Sequence, residues 1–246
     1  MERPSSHTIL PPSAPLNADT ALSALRQGTP ALVWRRVVAD SDTPVGTARK
    51  LIQPGRGDFL LESVEGGEVR GRHSMVGLDP DLVFRASNGS AAINRDWRHD
   101  KDAFSPCESD ALSDLRKLAE QCRIDTPEGL LPAALACLVG YFGYETIGLV
   151  ETLPRAPEGE LALPDMLFVR PTLILVFDGL TDEMFCISPL WPDSPASADP
   201  VAAIARAGER IDETLRIMAS PAPAEARAAP DTPEPTLNPV MDGDEY

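Results

Sequence analysis

The sequence predicts an α+β fold, with a twisted, mainly antiparallel sheet and helices packed on it. Three observations carry that expectation. Asn88-Gly89 lies between the apolar runs 82–86 and 91–93, a strong hairpin signal because both central residues of the tight turn take positive φ. The run 165–177 is the longest strand candidate; it turns at Asp178-Gly179-Leu180-Thr181-Asp182, and 183–190 returns as its antiparallel partner. Leu112, Leu115, Leu118, Ala119 and Cys122, and again Val201, Ile204, Gly208, Ile211, Leu215 and Met218, are spaced three and four apart, as on amphipathic helices.

Taken in order, residues 1–18 are rich in Pro and Ser and read as a flexible start, 19–219 as the folded body, and 220–246 as a Pro/Ala-rich linker. Residues 19–27 suit a short helix with Leu22 and Leu25 on one face, and 31–38 a strand. Thr43 as N-cap and Pro44 at the first helical position open a helix that stops before Pro54-Gly55. Phe59-Leu60-Leu61 is a short apolar run suited to a strand buried on both faces. Glu62 and Ser63 interrupt it, Gly66-Gly67 permits a reversal, and 73–76 resumes the strand before the turn chemistry of Gly77-Leu78-Asp79-Pro80. Ser105-Pro106-Cys107-Glu108 has the form of a capping box leading into the helix through Leu112. Residues 126–132 read as a loop. Between 133 and 144, helix propensity competes with a strand reading. Pro171 places a bulge or an edge inside the run 165–177.

With 246 residues and 43% hydrophobic content the chain can bury a sizeable core, as one large domain or two small ones. A net charge of −16 argues against nucleic acid and anionic membranes as partners, since both repel such a surface. Cys107, Cys122, Cys137 and Cys186 form no Cys-x-x-Cys pair, so they read as reduced core cysteines rather than disulfides or metal ligands. Residues 1–15 lack a secretory layout, and no apolar run is long enough to span a bilayer; a soluble, cytoplasmic protein is expected. Phosphate-loop, nucleophile-elbow and His-Glu-x-x-His motifs are missing from the sequence, and His7, His73 and His99 are scattered. Glu62, Glu65 and Glu68 recur every three residues, but Gly66-Gly67 makes a helix there improbable, so they read as solvated acids around a reversal. No catalytic or metal-binding set emerges.

One stretch does carry binding chemistry. Around Glu62 and Ser63, a carboxylate, a hydroxyl and two arginines converge beside apolar strands, which suits a small zwitterion. Glu62 would meet an ammonium, Ser63 or free backbone N–H groups a carboxylate, and the leucines, Leu61 among them, an apolar body. The plain alternative for Ser63 is a strand-end hydroxyl bonded to nearby backbone, and for Glu62 a side chain facing water. Arg72 could pair with Glu62 or support the site from behind.

Leu60-Leu61-Glu62-Ser63, followed by 71–80 (Gly-Arg-His-Ser-Met-Val-Gly-Leu-Asp-Pro), resembles the start of the large component of anthranilate synthase. His73 stands where that family has Tyr. Val139-Gly140-Tyr141-Phe142-Gly143-Tyr144-Glu145 resembles the family's Gly-Tyr-Phe-Gly-Tyr-Asp segment, which implies a strand to Phe142 and then a helix to about residue 151. The resemblance runs from about Ala31 to Trp191 and covers only the N-terminal half of the family's protein. It implies that Leu61, Glu62 and Ser63 form part of a feedback site for L-tryptophan, with Arg72 in support. It also implies a β-sandwich shared with a chorismate-binding half, a glutamine amidotransferase partner, and Mg²⁺ held by the other half rather than by this chain. Two readings stand beside it: the equivalent part of aminodeoxychorismate synthase component I, and a stand-alone amino-acid-binding module.

Overall fold

The computed structural model describes residues 17–63, 71–124, 137–153 and 163–221. In chain order its elements begin with α1 (Ala18–Arg26), β1 (Ala31–Val38), α2 (Pro44–Leu51), β2 (Phe59–Leu61) and β3 (His73–Leu78). Next come β4 (Leu82–Ser87), β5 (Ser90–Asn94), β6 (Phe104–Pro106), α3 (Ala111–Gln121) and β7 (Val139–Phe142). A short 3-10 helix (Tyr144–Leu149), β8 (Met166–Arg170), β9 (Leu173–Asp178), β10 (Glu183–Leu190) and α4 (Pro200–Met218) complete the body. The α+β class is as expected, but the strands form two five-stranded sheets rather than one. The first has the order β1-β10-β9-β3-β2 and the second β6-β5-β4-β8-β7, with every neighbouring pair antiparallel.

The period of two along each strand sorts side chains between two cores. Leu173, Leu175 and Phe177 of β9 join Val33, Met184 and Cys186 against α1, α2 and α4. Ile174 and Val176 point the other way, with Met75 and Ile187, onto Phe84, Ala86 and Met166 of the second sheet and onto α3. Every residue of β9 is therefore buried, as a central strand covered on both faces must be. The docking face of α4 is built from Ala203, Ile204, Ala207, Gly208, Ile211, Thr214 and Met218, so small residues let the helix lie close. Val201, expected on that face, is exposed.

Local chemistry explains several boundaries. Thr43 Oγ1 accepts a hydrogen bond from the Gly46 N–H at 3.0 Å, capping α2 where Thr43-Pro44 predicts it. Asn88 and Gly89 take φ of 53° and 77°, closing the β4–β5 hairpin. Gly140 crosses Phe168 so closely that a Cβ would lie 1.9 Å from the Leu167 carbonyl oxygen, which keeps β7 paired with β8.

Four expectations are corrected. The run 165–177 is not one strand: it breaks at Pro171 into β8 in the second sheet and β9 in the first, because proline supplies no N–H for a ladder that continues straight on. Ser105 and Pro106 belong to β6, an edge strand where a missing donor is tolerated, and the helix is capped instead by Asp110, which accepts from the Ser113 N–H at 3.0 Å. After Phe142 the chain makes the short 3-10 helix rather than a longer α-helix. Finally, Phe59-Leu60-Leu61 is not buried on both faces. As edge strand β2 it pairs only with β3, and Leu61 is 50% exposed. The expected start at 1–16, the reversal at Gly66-Gly67, the loop at 126–132 and the linker beyond 221 lie outside the described residues.

Two crossings join the sheets: β3 passes through Asp79-Pro80-Asp81 into β4, and β8 through Pro171-Thr172 into β9. They run side by side. The Asp81 N–H donates to the Arg170 carbonyl (3.1 Å), the Thr172 N–H to the Leu78 carbonyl (3.2 Å), and Thr172 Oγ1 to the Asp79 carbonyl (2.7 Å). Arg170, 3% exposed, forks onto Asp81 at 2.8 and 2.9 Å and reaches Asp193 at 3.0 Å. Removing one partner strands a buried charge, so Arg170→Met is expected to lower unfolding free energy in urea by about 3–5 kcal/mol. The double variant Arg170→Met/Asp81→Leu should recover much of that loss; equal damage in both would show that the pair itself is not what is lost.

Candidate functional site

β2 ends at Leu61, opposite Met75, and the next two residues leave the ladder. Side chains carry on where backbone pairing stops. The Ser63 N–H donates to Ser74 Oγ at 3.0 Å, and Ser63 Oγ donates to the His73 carbonyl at 2.8 Å. Ser74 is buried, so this end of β2 is pinned to β3. Leu61, Glu62 and Ser63 themselves are exposed. With its N–H and its hydroxyl proton both engaged, Ser63 offers acceptor lone pairs to anything that approaches. Glu62 beside it offers carboxylate oxygens and has no ion-pair partner among the described residues. Together they form an acceptor-rich surface at a sheet edge, suited to an ammonium; a carboxylate on Ser63 would first have to displace one of its present bonds.

Arg72 does not pair with Glu62. Its Nε and terminal nitrogen fork onto Asp178, the last residue of β9, at 2.8 and 2.5 Å. The Arg72 carbonyl also accepts the Gly179 N–H at 2.9 Å, and Asp178 accepts the Leu180 N–H at 3.0 Å. His73 Nε2 lies 3.7 Å from the same carboxylate. Arg72 thus anchors the start of β3 to the β9–β10 turn. Hydrogen bonding from Arg72 pulls the Asp178 carboxyl down to about 2, against the opposing effect of its burial.

Two cavities lie elsewhere. An open groove of about 800 Å³ crosses the outer face of the second sheet beside Arg85, Trp97 and Phe104. A smaller hollow of about 180 Å³ lies between α4 and the segment after β10. Leu61, Glu62 and Ser63 line neither. Sequence reasoning missed the ionic cluster at the sheet crossings, where Arg98 and Arg210 converge on Asp79 and Arg170 on Asp81. Arg170 inside an apolar strand, and Arg206 and Arg210 one turn apart on α4, were the available signals.

The sign of the Asp178 shift sets a pH window. Its folded value lies below the ordinary 3.8, so its stabilising effect is present above about pH 4 and is lost as pH falls towards 2. The thermal midpoints of the parent chain and Asp178→Asn should therefore differ at pH 6 and converge between pH 4 and 2. A gap that stays constant across that range would disprove the linkage.

No family model matches the chain. Among curated proteins it is 42% identical over 200 residues to anthranilate synthase component 1 of Cereibacter sphaeroides, covering 81% of this chain and 39% of that protein. It is 30% identical over 200 residues to the Acinetobacter calcoaceticus protein of the same name (79% and 38% covered) and 34% over 146 residues to that of Mycolicibacterium smegmatis (59% and 27%). The crystal structure of anthranilate synthase component I from Streptococcus pneumoniae TIGR4 is similar at a TM-score of 0.46 and 20% identity, covering 76% of this chain and 37% of that one. Because the chain spans about two fifths of the length of the curated relatives that it matches best in coverage, it corresponds to a part of such proteins, and the extent fits their N-terminal portion. By these matches the chain belongs to the anthranilate synthase component 1 family.

Proposed function

We propose that this chain is the tryptophan-sensing N-terminal part of anthranilate synthase component 1, and that it makes no anthranilate by itself. The whole enzyme converts chorismate, with ammonia from a glutamine amidotransferase component, to anthranilate and pyruvate. On this reading the chorismate-binding half carries the acid–base residues and the Mg²⁺ ligands. The observation that carries the reading is the placement of Leu61, Glu62 and Ser63, exposed at the free end of an edge strand yet pinned by Ser74 and His73. Such a surface is one wall of a site. Glu62 and Ser63 Oγ would accept the ammonium of L-tryptophan, and Leu61 would meet its ring. A second wall from the chorismate-binding half would raise the buried fraction of the ligand, on which affinity depends.

Support for a docking partner comes from β7 and the 3-10 helix after it. Phe142 (58%), Tyr144 (89%) and Val150 (67%) are exposed, with Tyr141, Ile147, Leu149, Leu153 and Leu163 also open to solvent. A run of large apolar side chains beside an edge strand is a surface that association covers. The glutamine amidotransferase component is the further partner this reading requires.

Two experiments test the proposal. The 246-residue chain should form no fluorescent anthranilate from chorismate and ammonium, and should gain that activity when a separately expressed chorismate-binding half is added. In the assembled enzyme, Ser63→Ala and Glu62→Gln should each raise the tryptophan concentration for half-inhibition by about tenfold or more, the loss of a hydrogen bond to a charged group. Anthranilate from the chain alone, or unchanged inhibition in both variants, would overturn it. Separately, the purified chain should self-associate in analytical ultracentrifugation, and Phe142→Ser with Tyr144→Ser should reduce that. A monomer that persists at high concentration would count against an uncovered interface.

A further inference from the structure

The 180 Å³ hollow between α4 and the segment following β10 is lined by three arginines, one aspartate, and neutral polar and apolar residues. Three arginines face it: Arg98 from the loop after β5, and Arg206 and Arg210 from successive turns of α4. Among the described residues, Arg98 and Arg210 share a single carboxylate, Asp79, and Arg206 pairs with none. Asp81, also in the wall, is occupied by the fork of Arg170. Among the described residues Arg206 makes only a backbone contact, donating to the Ala196 carbonyl at 2.7 Å. In a chain of net charge −16, this is a local excess of positive charge.

Donors also outnumber acceptors. One guanidinium nitrogen of Arg98, one of Arg206 and two of Arg210 make hydrogen bonds to the described residues, which leaves several N–H groups unspent. Thr172 Oγ1 is saturated: it donates to the Asp79 carbonyl and accepts from Arg98 at 2.9 Å and Arg210 at 2.6 Å. Trp191, 2% exposed and in the cavity wall, has an indole Nε1 with no hydrogen-bond partner among the described residues. A buried donor left unmet costs stability and calls for an acceptor. The hollow is far larger than the roughly 10–15 Å³ that one water requires.

We propose that this cavity binds a small oxyanion, a phosphate or a compact carboxylate, through the guanidiniums of Arg98, Arg206 and Arg210 and the indole N–H of Trp191. Planar guanidinium forks match the geometry of either group. Electrostatics favour occupancy. Burial lowers Arg210 to about 10; Asp79 works against that, while Arg98 and Arg56 add to it. A bound anion would relieve the repulsion among these cations. It would also tie α4 to the sheet crossings, since the same arginines touch Asp79 and Thr172. The proposal is independent of the tryptophan reading, because Leu61, Glu62 and Ser63 do not line this cavity.

The test titrates the 246-residue chain with inorganic phosphate and, separately, with malonate, at ionic strength held constant with sodium chloride. Binding is followed by calorimetry and by tryptophan fluorescence. At least one of the two should bind saturably, raise the thermal midpoint, and change the fluorescence in a way that Trp191→Phe abolishes; the arm that saturates at lower concentration identifies the tetrahedral or the planar anion. Arg206→Gln, at an exposed position where folding should persist by circular dichroism, should weaken binding about tenfold or more, and Arg210→Lys should weaken it while keeping the charge. No saturable binding of either anion by the parent chain, or the same affinity in Arg206→Gln as in the parent, would overturn the proposal.

Discussion

The buried fork of Arg170 on Asp81 sits where the chain passes twice between its two sheets, and the sandwich depends on it. A β-sandwich needs strands that change sheets, and each change interrupts a ladder and exposes backbone groups to desolvation. Here the two interruptions are placed side by side, so that the groups freed by one are met by the other: Asp81 N–H by the Arg170 carbonyl, Thr172 N–H by the Leu78 carbonyl. Pro80 and Pro171 stand at these corners, where the missing N–H costs nothing. The ion pair then locks the crossings in register across a separation of 89 residues. The place of β9 as the doubly covered central strand depends on that corner.

A second constraint acts at the opposite end of the first sheet. β2 contributes only three residues, too few to hold itself by backbone pairing. Ser63, Ser74 and the His73 carbonyl extend the pairing with side chains, while the Arg72–Asp178 fork fixes the strand on which they lean. Rigid support under an exposed polar pair is the arrangement expected of a recognition surface, because groups already ordered lose less freedom on binding.

Arginine serves two purposes in this acidic molecule. Arg72 forks onto Asp178, and Arg170 forks onto Asp81 while also reaching Asp193, so each has at least one carboxylate of its own and acts as a structural clasp. Among the described residues, Arg98 and Arg210 share a carboxylate, so their charge is incompletely met there, and Arg206 has no carboxylate partner. The difference is one of stoichiometry around each carboxylate, and it distinguishes a closed ion pair from a site with capacity left over.

Much of the fold was legible because it is written in local chemistry. β1 falls where the apolar run places it, the Asn88-Gly89 hairpin where positive φ is required, the α2 cap at Thr43, and α4 where the spacing of three and four begins. The place of Leu61, Glu62 and Ser63 at the end of a strand was legible in the same way, from one short stretch. What the sequence could not determine is what depends on distant partners. Burial of β2 was misjudged because a three-residue apolar run looks the same at an edge as at a centre. The capping box at Ser105 failed because pairing with Ile93 made that segment a strand. The division of 165–177 between two sheets, the choice of Asp178 rather than Glu62 by Arg72, and the gathering of three arginines around one hollow were decided only by tertiary structure. Each depends on contacts between residues far apart in the chain, and such contacts leave no period, cap or turn in the local sequence.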